Sequence, residues 1–157
     1  MILRKIISGG QAGVDRGALE AALELGLEHG GFVPRGRRAE DGRVPERFLL
    51  TETPSDQYPP RTAMNVKLGD GTLLLFHGKA ALAKSRGTKL TLEILMKQAK
   101  PWWAADPRLE EHAARAAAWI TRSNIEVLNV AGPRESKCPG IQEEARRFVR
   151  MVFERLS

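Results

Sequence analysis

The chain has 157 residues, 42% of them hydrophobic, and 25 Lys and Arg against 19 Asp and Glu give a formal net charge of +6 at pH 7. That length suits a single domain spanning 1–157, able to bury roughly 70% of its unfolded surface, and no apolar run is long enough for a membrane span. The basic excess admits acidic or phosphorylated partners, but the charges are spread over helix faces and several loops, so nucleic acid ranks last among them.

In chain order, Lys5-Ile6-Ile7 reads as a strand, and Met1 to Lys5 is too short for a signal peptide. The glycine turn Ser8-Gly9-Gly10-Gln11-Ala12-Gly13 follows. It leads into a helix with Val14, Ala18, Ala21, Ala22 and Leu25 on one face. Gly31-Phe32-Val33 is a short strand, 34–43 a long polar surface loop, and Phe48 to Thr51 another short strand. Arg61 to Leu68 is a helix after proline. Thr72 to Phe76 is apolar without alternation, as a central parallel strand should be. A loop from His77 to Arg86 precedes a helix opening at Gly87-Thr88, with Leu92, Leu95, Met96 and Ala99 on its buried face. Pro101 to Ala104 is a strand. Leu109, Ala113, Ala116 and Ile120 mark a helix, Ile125 to Val130 the last strand, and Ile141, Ala145, Phe148 and Val152 the closing helix behind Pro139.

Strands alternating with helices predict an α/β protein: a three-layer α/β/α sandwich, Rossmann-like, with a mostly parallel sheet. In such sheets the strand-to-helix loops share one edge, where ligands bind. The loops Gly9 to Asp15, 34–43, His77 to Thr88 and Ala131 to Gly140 are therefore expected to converge. Glycine permits close backbone approach, and a helix N-terminus presents unpaired N–H groups and a positive dipole end. The chemistry suited to that edge is phosphate or another oxyanion.

Individual residues leave alternatives. Thr88 and Thr91 bond a phosphate, or Thr88 caps its helix. Arg134 clamps an anion bidentately, or pairs with Glu135. Asp15 repels phosphate and fits better as an orienting group for Arg16 or Arg61, or as a partner for a ribose hydroxyl. Cys138, the single cysteine, excludes an internal disulfide, fits a reducing cytoplasm, and reads as inert for want of a nearby histidine in sequence. His29, His77 and His112 are scattered, with no spacing that resembles a metal site. Trp102, Trp103 and Trp119 are expected in the core or a subunit contact.

Taken together, Gly9-Gly10-Gln11-Ala12-Gly13-Val14-Asp15-Arg16, Pro34-x-Gly36-Arg37-Arg38-Ala39-Glu40-Asp41-Gly42, Arg61-Thr62-x-x-Asn65-Val66, Asp70-Gly71-Thr72, Gly87-Thr88-x-x-Thr91 and Asn129-Val130-Ala131-Gly132-Pro133-Arg134-x-Ser136-x-x-Pro139-Gly140 resemble one family over nearly the whole chain. It is the putative molybdenum carrier family, the circularly permuted YpsA-like branch of the SLOG superfamily. The resemblance implies a Rossmann-like fold and a nucleotide-derived ligand or molybdenum cofactor. Its ligand loops fall at the loops named above, and the residues expected to hold the ligand are Gly9, Gly10, Gln11, Gly13, Asp15, Arg16, Arg61, Asn65, Gly87, Thr88, Thr91, Gly132, Arg134, Ser136 and Gly140.

Relatives of the LOG type are phosphoribohydrolases with a glutamate three residues after the glycine-threonine pair. Thr91 stands there in this chain, and threonine cannot replace a carboxylate in acid–base work. The expectation is a cytoplasmic binding protein for a phosphorylated small molecule, assembled as a dimer or tetramer on class alone. The alternatives are a LOG-type hydrolase using Glu40, Asp41 or Asp15 and, last, a nucleic-acid binder.

Overall fold

The computed structural model describes residues 3–156. A five-stranded sheet forms the middle layer, from β1 (Lys5–Ile7), β2 (Glu28–Gly30), β7 (Gly71–Leu75), β8 (Trp102–Ala105) and β9 (Val127–Ala131). Its order is β2-β1-β9-β7-β8 and every pairing is parallel. The helices α1 (Val14–Leu25), α5 (Glu110–Arg122) and α6 (Ile141–Glu154) cover one face. The other face carries α2 (Tyr58–Leu68) and α4 (Arg86–Gln98), with the short α3 (Lys79–Ala83) leading into α4. Among the described residues no helix is long and apolar enough to cross a membrane.

The central strand explains the layers. Leu73 and Leu75 pack into the core with α1, α5 and α6, whereas Leu74 between them packs with Val66 of α2 and Leu95 of α4. All three are fully buried, because successive side chains leave opposite faces of a covered strand. The helix after β9 lies on one face and the helix after β7 on the other. Neighbouring strands that send their connections to opposite faces leave a crevice beyond their carboxyl ends.

Several boundaries differ from the sequence expectation. The chain makes two strands around Gly31: β2 joins the main sheet, and β3 (Phe32–Val33) pairs with β6 (Thr51–Glu52) in a separate two-stranded ribbon. Gly31 adopts φ +124°, a turn that separates them. Helix α2 opens three residues early, at Tyr58. Helix α4 opens at Arg86 and is capped by Ser85, whose hydroxyl accepts the Thr88 N–H at 3.2 Å. Thr88 is therefore not its cap. The inward face of α4 is Thr88, Thr91 and Leu95, while Met96 is 69% exposed. Ala99 is the left-handed C-cap. Trp119 is buried and stacks on half-buried Trp103 at 6.3 Å, and Trp102 lies more open on the edge strand β8.

The segment expected to be a polar surface loop has its own small core. Ala39, Val44 and Phe48 pack with Val33 and with Leu19 of α1. Its hub is Arg37, buried at φ 55°, whose guanidinium donates to the carbonyls of Val44 at 3.1 Å, Pro45 at 2.7 Å and Phe48 at 2.8 Å. The ribbon of β4 (Arg38–Ala39) and β5 (Gly42–Arg43) projects from this hub.

Candidate functional site

The crevice at the ends of β9 and β7 holds a cavity of about 690 Å³. The first turn contributes Gly9, Gln11 and Asp15 to its walls, and α2 contributes Tyr58, Arg61, Thr62 and Asn65. The α4 end adds Lys84, Ser85, Arg86, Gly87 and Thr91, and the last loop adds Gly132, Arg134 and Lys137. Of the residues expected at a ligand, Gly9, Gln11, Asp15, Arg61, Asn65, Gly87, Thr91, Gly132 and Arg134 line the cavity; Gly10, Gly13, Arg16, Thr88, Ser136 and Gly140 do not.

Those outside the lining have other commitments. Arg16 is buried and its guanidinium binds both oxygens of Asp41 and the Gly10 carbonyl. The hydrogen bond from Arg16 holds the Asp41 carboxyl below its usual range. Gly13 gives its N–H to Gln142 at 2.9 Å, and Val14 gives its own to the Pro133 carbonyl at 3.2 Å. The α1 N-terminus, expected to hold an anion, thus spends its leading donors inside the protein. The α6 N-terminus is spent likewise: the Glu135 carboxylate accepts from Gly140 N–H at 2.6 Å and from Gln142 N–H at 2.9 Å. Ser136 gives both its N–H and its hydroxyl to Glu40. Arg134 lies 3.9 Å from the same carboxylate, so the 34–43 segment braces the last loop without reaching the cavity.

The free helix end is that of α4. The N–H groups of Arg86 and Gly87 have no partner among the described residues, and a Cβ at Gly87 would meet nothing within 4 Å. Around this end stand Lys84, Arg86, Arg61, Arg134 and Lys137, against one carboxylate in the lining, Asp15. Three guanidinium carbons lie near the Tyr58 ring, those of Arg38 at 4.9 Å, Arg61 at 5.4 Å and Arg134 at 5.5 Å.

Asp15 orients Arg61 rather than Arg16. Its Oδ2 accepts from Arg61 at 2.9 Å and from the Gln11 N–H at 3.3 Å. Burial raises its carboxyl above the ordinary value, and the Arg61 charge and hydrogen bond oppose the rise. A Cβ on Gly9 would fall 1.5 Å from an Arg61 nitrogen, so glycine at that position makes room for the pair. Arg61 Nε and Gln11 Nε2 are buried and have no partner among the described residues. Thr91 donates its hydroxyl to the Gly87 carbonyl at 3.0 Å, and Glu93 is exposed on the far side of α4.

Asn65 has a structural duty. Its Oδ1 accepts the Phe32 N–H at 2.7 Å and its Nδ2 donates to the Phe32 carbonyl at 2.9 Å. Asn65→Ala strands both backbone groups, and we expect a loss of about 2–4 kcal/mol in urea unfolding. A loss below about 0.5 kcal/mol would show that Phe32 finds other partners.

Sequence reasoning passed over Tyr58, Lys84, Arg86 and Lys137. The available signals were weak ones: the Tyr58-Pro59-Pro60 start of a helix, and the basic run Lys84-Ser85-Arg86 ahead of Gly87.

Fold and site together define a Rossmann-like α/β protein with a cation-rich crevice at the switch of its sheet. The description "Circularly permutated YpsA SLOG family" matches residues 6–153, and the chain belongs to that family. A crystal structure from Syntrophus aciditrophicus SB, described as a putative molybdenum carrier protein, is similar over 96% of this chain and 94% of its own, with 41% identity and a TM-score of 0.88. No curated protein matches the chain.

Proposed function

We propose that the protein binds a phosphorylated small molecule, a nucleotide derivative or molybdenum cofactor carried as cargo, in the crevice at the α4 N-terminus. The observation that carries this reading is the pair of unpartnered N–H groups at Arg86 and Gly87 among the five cations of the lining. Backbone donors at a helix start suit a phosphate monoester, and arginine forks add charge-assisted bonds of about 1.5–3 kcal/mol each. Both ligand classes carry such a phosphate. The buried donors Gln11 Nε2 and Arg61 Nε stand ready for the polar edge of the remaining ligand. The solved relative's description as a "putative molybdenum carrier protein" supports a cargo role.

The same reading is of binding without turnover. The hydroxyl of Thr91 is committed to a carbonyl, Glu40 is held by Ser136, and Asp41 by Arg16. Asp15 is the one carboxylate in the lining, and it is tied to Arg61. The single unpaired cysteine agrees with a cytoplasmic setting.

A thermal-shift panel of nucleotides, molybdate and molybdenum cofactor tests the reading. A ligand at a hundred times its Kd adds about 2.7 kcal/mol, or roughly 5–10 °C. Arg134→Ala is expected to weaken the responding ligand at least ten-fold with little change in the unliganded Tm. Equal affinity in both proteins would remove Arg134 from the site. Release of free base from a nucleoside monophosphate would contradict binding without turnover.

A further inference from the structure

Outside the cavity, three side chains from distant parts of the chain meet in a row. His77 follows β7, Cys138 lies in the loop before α6, and Glu144 is in the first turn of α6. Cys138 Sγ lies 3.2 Å from His77 Nδ1, and His77 Nε2 lies 2.5 Å from Glu144 Oε1. A carboxylate only accepts, so the ring proton sits on Nε2 and Nδ1 carries the lone pair. Sγ also lies 3.8 Å from Nε2, so the thiol rests against the ring beside Nδ1, and proton transfer takes a rotation of the Cys138 side chain onto the lone-pair axis. Arg108 donates to the His77 carbonyl at 3.3 Å and holds Asp106 at 2.7 Å, fixing the strand end. The row reaches solvent: the side chains of His77 and Glu144 are 19% and 21% exposed, and Cys138 is 9% exposed.

Nucleophile, base and orienting carboxylate are the parts of an assisted thiol. The surroundings select among its reactions. Acyl transfer needs N–H donors for an oxyanion, and those of the loop that carries Cys138 are taken. Cys138 N–H goes to the carbonyls of Arg134 and Glu135, Ile141 N–H to the Cys138 carbonyl, and those of Gly140 and Gln142 to Glu135. Thiol–disulfide exchange needs no oxyanion hole, only removal of the thiol proton and a proton for the leaving sulfur.

We propose that Cys138 is a thiol-exchange site for low-molecular-weight disulfides, with His77 as its base and Glu144 as the positioning residue. The thiol proton passes to His77 Nδ1 as Sγ attacks one sulfur of RS–SR. The S–S bond breaks, Cys138 and RS form a mixed disulfide, and the other RS⁻ leaves with the proton from His77 as RSH. The Cys138 sulfur is oxidised and the departing sulfur reduced. The Arg108 charge beside the thiol favours an anionic disulfide. Burial and the Glu144 carboxylate push the thiol up from its ordinary value, Glu135 and Asp106 add to the rise, and Arg108 opposes it. Free thiolate is therefore scarce at neutral pH, where exchange depends on the base. The site is independent of the ligand proposed for the crevice.

The test follows mixed-disulfide formation by mass and by thiol release, using the full chain with oxidised glutathione and with dithiobisnitrobenzoate. At pH 7 the wild type is expected to gain one adduct at Cys138. His77→Gln, which keeps most of the ring's volume, is expected to react at least ten-fold more slowly. That gap closes as pH rises through the thiol's own raised pKa, where it ionises unaided. Glu144→Gln is expected to slow exchange several-fold at pH 7 with the same convergence. A structural contact would not produce a pH-dependent gap. Exchange at the wild-type rate in a folded His77→Gln protein overturns the proposal. So does wild-type speed in Glu144→Gln if the His77 variant fails to fold, or a wild-type protein that forms no adduct until it is unfolded.

Discussion

Replacing Arg61 with methionine is expected to cost about 3–5 kcal/mol of stability at pH 7–8, the largest effect of any single change at the crevice. Asp15 is 3% exposed and, among the described residues, its Oδ2 receives Arg61 and the Gln11 N–H alone. Methionine keeps the bulk of the stem and removes the charge, leaving a buried carboxylate with one backbone donor. Asp15 can escape by taking up a proton, so the loss carries a pH signature. Burial already raises its folded pKa above the unfolded value, and removal of Arg61 raises it further. Below the unfolded value near 3.8 both states are protonated and the variant suffers least. As pH rises through the window up to the folded pKa, the folded state must give up a proton it holds more tightly, and stability falls. Chemical unfolding of Arg61→Met at a series of pH values checks the slope. The double variant with Asp15→Asn should recover much of the loss and flatten the profile. A pH-independent loss would mean that Arg61 acts through packing alone.

The second large effect separates two glycines that share the cavity wall. A Cβ on Gly132 would lie 2.3 Å from the Leu75 carbonyl oxygen and 2.6 Å from Val14 Cγ2. Leu75 ends the central strand, Val14 opens α1, and both are fully buried. Neither can yield without spreading the sheet from its covering helix. Gly132→Ala is expected to cost about 3 kcal/mol, a drop in Tm of roughly 6–12 °C at this size. At Gly87 a Cβ meets open space within a helix, where alanine is favoured by up to about 1 kcal/mol. Gly87→Ala should therefore melt at or above the wild-type temperature while weakening any ligand seated on the α4 N–H groups. Similar melting of the two variants would contradict the distinct roles assigned to these glycines.

What the sequence made legible was local. The glycine turn after β1, the uniformly apolar run of β7 and the helical faces of α1, α5 and α6 are set by neighbours within a few residues, and they led to the parallel three-layer fold. Edge strand β2 was hidden because Glu28-His29-Gly30 has no apolar pattern; it joins the sheet through its backbone alone. The cavity was legible in outline, as loops at one sheet edge. Which helix end stays open was not. Glycine and proline mark the starts of α1 and α6 as clearly as that of α4, yet Gln142 and Glu135 fill the first two through contacts fixed only by the fold. The same distance in sequence hid His77 from Cys138, 61 residues away.

The most direct measurement is a calorimetric titration of one nucleoside monophosphate against its parent nucleoside, repeated with molybdenum cofactor and its dephosphorylated form. In whichever pair binds, the phosphate is expected to strengthen binding at least a hundred-fold. Two charge-assisted bonds of about 1.5 kcal/mol suffice for that, and the gain should shrink in Gly87→Ala. Equal affinity of the phosphorylated and dephosphorylated partners would contradict the placement of an anion at the α4 N-terminus.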